Sequence, residues 1–146
     1  MKRSRLKPRS KTNSRPWENL GLRRQYMDEN PICELSEILG YGRREPACDP
    51  HHLFGGSRGR VDCVSNLLAV SRKAHLWAEQ YKTDGRVIGV WVKLVRKQEL
   101  RADEFTRSSG YQSVGGWLCV VDANELLPET LPFYRELVSL TAMGTD

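Results

Sequence analysis

The chain has 146 residues, 39% hydrophobic and 28% charged, with 23 Lys or Arg against 18 Asp or Glu. That length suits one compact domain on the usual scale of about 100 to 150 residues and leaves no room for two large ones. No apolar run approaches the roughly 20 residues that span a bilayer, and no apolar segment follows the N-terminal charges, so a soluble, unsecreted, cytoplasmic protein is expected.

The charge is uneven along the chain. Residues 1–16, MKRSRLKPRSKTNSRP, carry seven Lys or Arg and no acid, while residues 17–146 carry 16 basic and 18 acidic groups. The net charge of +5 is therefore +7 from an arm and −2 from a body. An arm with so few apolar residues has little to bury, and spaced cations such as Lys2, Arg3, Arg5, Lys7, Arg9 and Lys11 suit a polyphosphate backbone. Nucleic acid is the expected partner.

After the arm, Pro16 behind Asn13 and Ser14, with Trp17, Leu20, Arg24 and Met27 at helical spacing, predicts a helix ending before Pro31. CELSEILGYGRREPACDP is broken by Gly and Pro into short pieces. Pro50 biases its predecessor to extended geometry, so a strand is expected to run into His51 and His52. FGGSRGRVD is a loop rich in Gly and Arg, Leu67, Leu68 and Val70 open a second short element, and RKAHLWAEQYK reads as a helix bearing His75. Four cysteines without a CxxC pair, Cys33, Cys48, Cys63 and Cys119, read as thiols in a reducing compartment. Beyond residue 83, RVIGVWVKLVRK is read as a helix behind the caps Thr83 and Asp84. KQELRADEFTRSSG is read as a second helix closed by Gly110, and LPFYRELVSL as a last one with Phe133, Leu137 and Leu140 as its buried stripe.

All three histidines of the chain, His51, His52 and His75, fall within 25 residues. Such a cluster suggests a site, because neutral imidazole is both the commonest metal ligand and a base near neutral pH. The order His51-His52, then Asn66 followed by Leu67, then His75 on a helix, with a Gly-rich loop after the first pair, resembles the HNH nuclease motif over roughly residues 31–82. The resemblance implies an α+β fold: a ββα-metal core over residues 17–82, with an N-terminal helix and a mainly helical extension over 83–146. It implies His52 as general base, His51 and His75 as metal ligands, and Asn66 as the residue that hydrogen-bonds across the loop and fixes the strand presenting His52. Adjacent strand residues point to opposite faces, so a twist or bulge is expected where His51 and His52 reach one site.

Glu79, four residues after His75 on the same helical face, stands where colicin-type members have a histidine ligand and is a candidate third ligand. With it, one Mg²⁺ or Mn²⁺ is favoured; an all-imidazole site would favour Zn²⁺ or Ni²⁺. Arg58 and Arg60 are candidates for phosphate contacts beside the scissile bond. Many HNH proteins carry two CxxC zinc pairs, and here those places read Cys33-Glu34-Leu35-Ser36 and Ser71-Arg72-Lys73-Ala74, so packing around Trp17, Leu35, Leu67 and Trp77 must hold the core instead. A rival grouping of Cys48, His51, Cys63 and His75 would make a non-catalytic zinc-containing module that binds nucleic acid. The expectation is a metal-dependent endonuclease on DNA, a monomer with one site that nicks one strand, of a kind suited to a phage or mobile element.

Overall fold

The computed structural model describes residues 18–55, 61–102 and 113–144. Among them the chain is α+β, with five α-helices and one two-stranded antiparallel sheet. Helix α1 runs Leu20–Glu29. Asn19 starts it, its Oδ1 accepting from Leu22 N at 2.9 Å and so satisfying an amide that has no carbonyl partner within the helix. Pro31 stops it by biasing Asn30 away from helical geometry. The helix thus begins later than the Asn13–Pro16 pattern suggests; Pro16 and Trp17 lie outside the described residues. Of the residues whose spacing predicts the helix, Leu20 is 58% exposed and Met27 packs beside Tyr26, the buried residue of the helix. Polar partners choose this face, and apolar spacing does not register them.

Strands β1 (Asp49–His52) and β2 (Leu67–Val70) pair with Asp49 opposite Val70, Pro50 opposite Ala69, His51 opposite Leu68 and His52 opposite Leu67. Pro50 has no N–H to give, and Ala69 asks for none. Its N–H and C=O face outward to Glu34, the carbonyl accepting from Glu34 N at 2.9 Å and the amide donating to Glu34 Oε1 at 2.8 Å. That bond closes an otherwise open sheet edge. Every residue of β2 is fully buried. The alternation of a strand divides them between two faces. Leu67 and Ala69 pack with Tyr26 of α1, and Leu68 and Val70 enter the main core.

Ser71 starts helix α2 (Arg72–Gln80), its Oγ accepting from Ala74 N at 3.1 Å. After Tyr81 alone comes helix α3 (Lys82–Trp91). Gly85 and Gly89, one turn apart, let α3 lie close. A Cβ on Gly85 would stand 3.0 Å from Ala78 Cβ, and one on Gly89 would stand 2.2 Å from Leu53 Cδ2. The helix expected over RVIGVWVKLVRK is therefore present, but it starts at Lys82 and passes into a π-helical turn, Val92–Arg96. Asp84 does not cap it locally; its Oδ2 accepts from Leu127 N at 2.8 Å.

The turn serves a buried polar network. Lys93, with no exposed surface, donates to Tyr26 Oη at 2.7 Å and to Glu99 Oε1 at 2.6 Å, while Lys97 pairs with Glu34 and Asn30. Burial pulls the Lys93 amine below its ordinary pKa, against the opposing pull of Glu99. Glu99 N also bonds Lys93 O at 2.7 Å, and Gln98 adopts a φ of 56°. The chain folds back here, so residues 97–102 are not the start of the expected second helix; its remainder, from 103 to Gly110, lies outside the described residues.

Helix α4 (Val114–Leu118) and helix α5 (Leu131–Gly144) complete the fold. Of the expected stripe on α5, Leu137 is fully buried, Phe133 and Leu140 are half-buried, and Phe133 meets Trp91 edge to face at 4.9 Å. One apolar cluster runs from Cys33 and Leu35 through Leu53, Leu68 and Val87 to Leu137, with Trp77 packed against it. Residues on both sides of position 82 thus share a core. All four cysteines are free thiols, and among the described residues no helix is long and apolar enough to cross a membrane.

Candidate active site

A cavity of about 250 Å³ opens at the end of β1, walled by His51, His52, His75, Glu79, Lys82 and Arg86 and continued by Leu53 and Gly55. The three histidines are together, as their clustering suggests. No bulge was needed, since the register runs unbroken through His51 and His52. Paired residues share a face, so His51 lies on the side of Leu68, towards α2, and His52 on the side of Leu67, towards α1. Both border the cavity because it lies where the strand ends.

On the α2 side, the His51 and His75 rings meet at 5.2 Å between centroids, inclined by 69°. Asp49 shares the His51 face two residues earlier, and its Oδ2 lies 3.0 Å from His75 Nδ1. Hydrogen bonds from Arg72 hold the Asp49 carboxyl down at about 2 against the opposing effect of burial, with His75 adding to the pull. An ionised carboxylate can only accept, so His75 Nδ1 carries the proton and the lone pair of the neutral ring sits on Nε2. That Nε2 faces Glu79 Oε2 at 3.5 Å. With the ring neutral, two acceptors face each other there, an arrangement that a proton on Nε2 or a metal ion between them relieves.

On the α1 side, the His52 side chain is 4% exposed and its Nε2 lies 2.7 Å from Oδ1 of Asp62, whose side chain is wholly buried. Asp62 also accepts from Arg23 through Nη2 at 2.9 Å and Nε at 3.2 Å, and from Asn19 N at 2.7 Å. Burial alone would push this carboxyl up, but the bonds from Arg23, His52 and the Asn19 amide outweigh it and hold Asp62 below the ordinary carboxylate range. His52 therefore donates from Nε2, and the neutral ring keeps its lone pair on Nδ1. Asp62 and Arg23 belong to this cluster, and the sequence reading did not pick them out. The signal was slight, a lone acid closing a Gly- and Arg-rich loop, with its guanidinium partner 39 residues earlier.

Asn66 does bridge the loop. Its Oδ1 accepts from Phe54 N and its Nδ2 donates to the carbonyls of Phe54 and Val61, all at 2.9 Å. Fully buried, it ties the two ends of the segment between the strands just beyond His52. Arg58 and Arg60 lie outside the described residues, as do Lys2, Arg3, Arg5, Lys7, Arg9 and Lys11 of the arm.

The chain matches no protein-family model, no curated protein and no solved structure. Where CxxC zinc pairs would stand, the Ser36 and Ser71 hydroxyls lie 3.4 Å apart and Ser36 also bonds Glu45 at 3.0 Å. Cys48 and Cys63 flank opposite ends of the ladder, which at about 3.4 Å per residue separates them too far for one zinc ion. Among the described residues no group of three or more His, Cys, Asp or Glu side chains is gathered around an ion position.

The chemistry of the donors fits a divalent ion pairwise. His75 is the shared member of both pairs, its ring 5.2 Å from that of His51 and its Nε2 3.5 Å from Glu79 Oε2.

Proposed function

We propose that this chain is a metal-dependent endonuclease of the HNH type, hydrolysing DNA phosphodiester bonds and nicking one strand per site. The observation that carries the reading is the 2.7 Å bond from His52 Nε2 to buried Asp62, with His52 lining one cavity together with His51, His75 and Glu79. The strand–strand–helix order of β1, β2 and α2, and the Asn66 bridge behind His52, support it.

His52 is the general base. Its Nδ1 takes the proton of a water whose oxygen attacks phosphorus, as the bond from phosphorus to the leaving oxygen breaks. Asp62 fixes the tautomer that makes this available and stabilises the imidazolium that forms, and Arg23 holds Asp62 in place. His51, His75 and Glu79 would hold the divalent ion, with Asp49 orienting His75 from behind. Such an ion supplies neutralisation of the phosphate and stabilisation of the leaving oxygen. The mixed imidazole and carboxylate set favours Mg²⁺ or Mn²⁺ over Zn²⁺ or Ni²⁺. DNA is the substrate suggested by the +7 arm of residues 1–16.

The test is a cleavage assay on supercoiled and linear DNA with a panel of divalent ions. Supercoiled plasmid should pass first to open circle and only later to linear form, and His52→Ala should abolish the reaction while DNA binding persists. Full activity in His52→Ala, or no cleavage with any ion, would remove the reading.

A further inference from the structure

Two cations in the cavity wall have no role in that mechanism. Lys82 and Arg86 stand one turn apart on α3 and both line the cavity beside the three histidines. They bring two positive charges to a wall whose lining holds one carboxylate, Glu79. Arg86 is not an ordinary solvated side chain. Its Nε donates to Leu53 O at 2.9 Å, and its guanidinium lies over the Phe54 ring at 5.5 Å.

Leu53 is the residue straight after His52, and its own N–H is fixed to Asn66 O at 2.9 Å. One peptide segment, pinned on both sides, therefore sets the position of the base and of the guanidinium relative to each other. Holding a long side chain this way costs rotamer freedom, which a purely solvated arginine keeps. Hydrolysis gains from the arrangement, because a base and the phosphate it serves must be held to within about 0.5 Å of a productive geometry. Nε bonds the carbonyl, and the Nη groups are the edge by which guanidinium recognises phosphate.

We infer that Arg86, with Lys82 one turn before it, is the phosphate-binding subsite of this cavity. Arg86 grips a non-bridging oxygen of the phosphodiester on which His52 acts, and Lys82 supplies a second positive charge at the cavity mouth. The inference rests on the nuclease reading for the reaction and on the cavity alone for the binding.

The experiment separates the two. Binding of a labelled DNA duplex is followed by fluorescence anisotropy over a range of salt concentrations, using His52→Ala as the non-cleaving parent. Adding Arg86→Met or Lys82→Met to that parent should each flatten log K against log[salt] by about 0.9, the contribution of one phosphate contact. In the otherwise wild-type chain, Arg86→Met should lower kcat/KM by about 100-fold, the scale for loss of one preorganised donor at a reacting oxyanion. Arg86→Lys should restore the salt slope but not the rate.

Unchanged slopes in both variants, with kcat/KM within about threefold of wild type, would overturn the subsite. If Arg86→Met fails to fold by circular dichroism, the exposed Lys82→Met decides the matter by its slope. Flattened slopes in a protein that cleaves nothing with any ion would uphold the subsite and reject the nuclease.

Discussion

Asp62 holds His52 from the face opposite to the one His51 uses: its Oδ1 stands 2.7 Å from His52 Nε2, while the His51 ring lies against His75 across the sheet. The strand alternation that gave cause to expect a bulge instead separates the two side chains. His51 is turned to the candidate ligands, and His52 to a carboxylate that sets its tautomer.

Replacing that carboxylate should therefore cost rate more than binding. Asp62→Asn can offer its amide N–H to Nε2, which favours the tautomer with the proton on Nδ1 and removes the base. We expect kcat for nicking to fall by about 10² to 10⁴, as loss of a tautomer-fixing carboxylate does elsewhere, with DNA affinity little changed. A nicking rate within threefold of wild type would show that His52 does not depend on Asp62.

Asp62 also makes stability depend on pH with a definite sign. Its folded pKa is held below the unfolded value of about 3.9, so its contribution is fully present above about pH 4 and is lost as the pH falls through the folded value. Asp49, held at about 2, adds to the same window. Urea unfolding followed by tryptophan fluorescence should find Asp62→Asn less stable than wild type at pH 6 and the gap narrowing below pH 4. A gap that stays constant down to pH 2 would contradict the pairing.

The candidate ligands differ in what their loss should do. His75 touches both His51 and Glu79, so His75→Ala should abolish measurable Mn²⁺ binding by calorimetry. Glu79 is more exposed, and Glu79→Gln should weaken binding by about 10- to 100-fold and shift preference from Mn²⁺ towards Zn²⁺. Undiminished Mn²⁺ affinity in His75→Ala would place the ion elsewhere.

Glycine on α3 gives a stability prediction of opposite sign to glycine on α1. Alanine is the better helix former by about 1 kcal/mol, but a Cβ at Gly89 meets buried Leu53 and Leu68, and overpacking of this kind costs about 1 to 3 kcal/mol. Gly89→Ala should lower Tm, and because Leu53 anchors Arg86 it should lower nicking too. At Gly21 the nearest atom to an added Cβ is 3.5 Å away, so Gly21→Ala should leave Tm unchanged or raise it. Thermal scans of the two variants settle the contrast.

The sequence alone determined the parts whose causes are local. Pro31 and Pro50 marked an end and a strand, the run Arg72–Lys82 marked α2, and the positions of His51, His52, Asn66 and His75 marked one cluster. Those signals act within a few residues, where backbone sterics and helix periodicity suffice. Tertiary structure decided what depends on distant partners. Arg23 reaches Asp62 across 39 residues and Lys93 reaches Tyr26 across 67, so α1 turns a polar-anchored face inward that the helical spacing of Leu20, Arg24 and Met27 does not record. Likewise, Arg86 is placed beside His52 by the approach of α3 that Gly85 and Gly89 permit. A buried charge finds its partner wherever the fold brings one, and no periodicity along the chain records that.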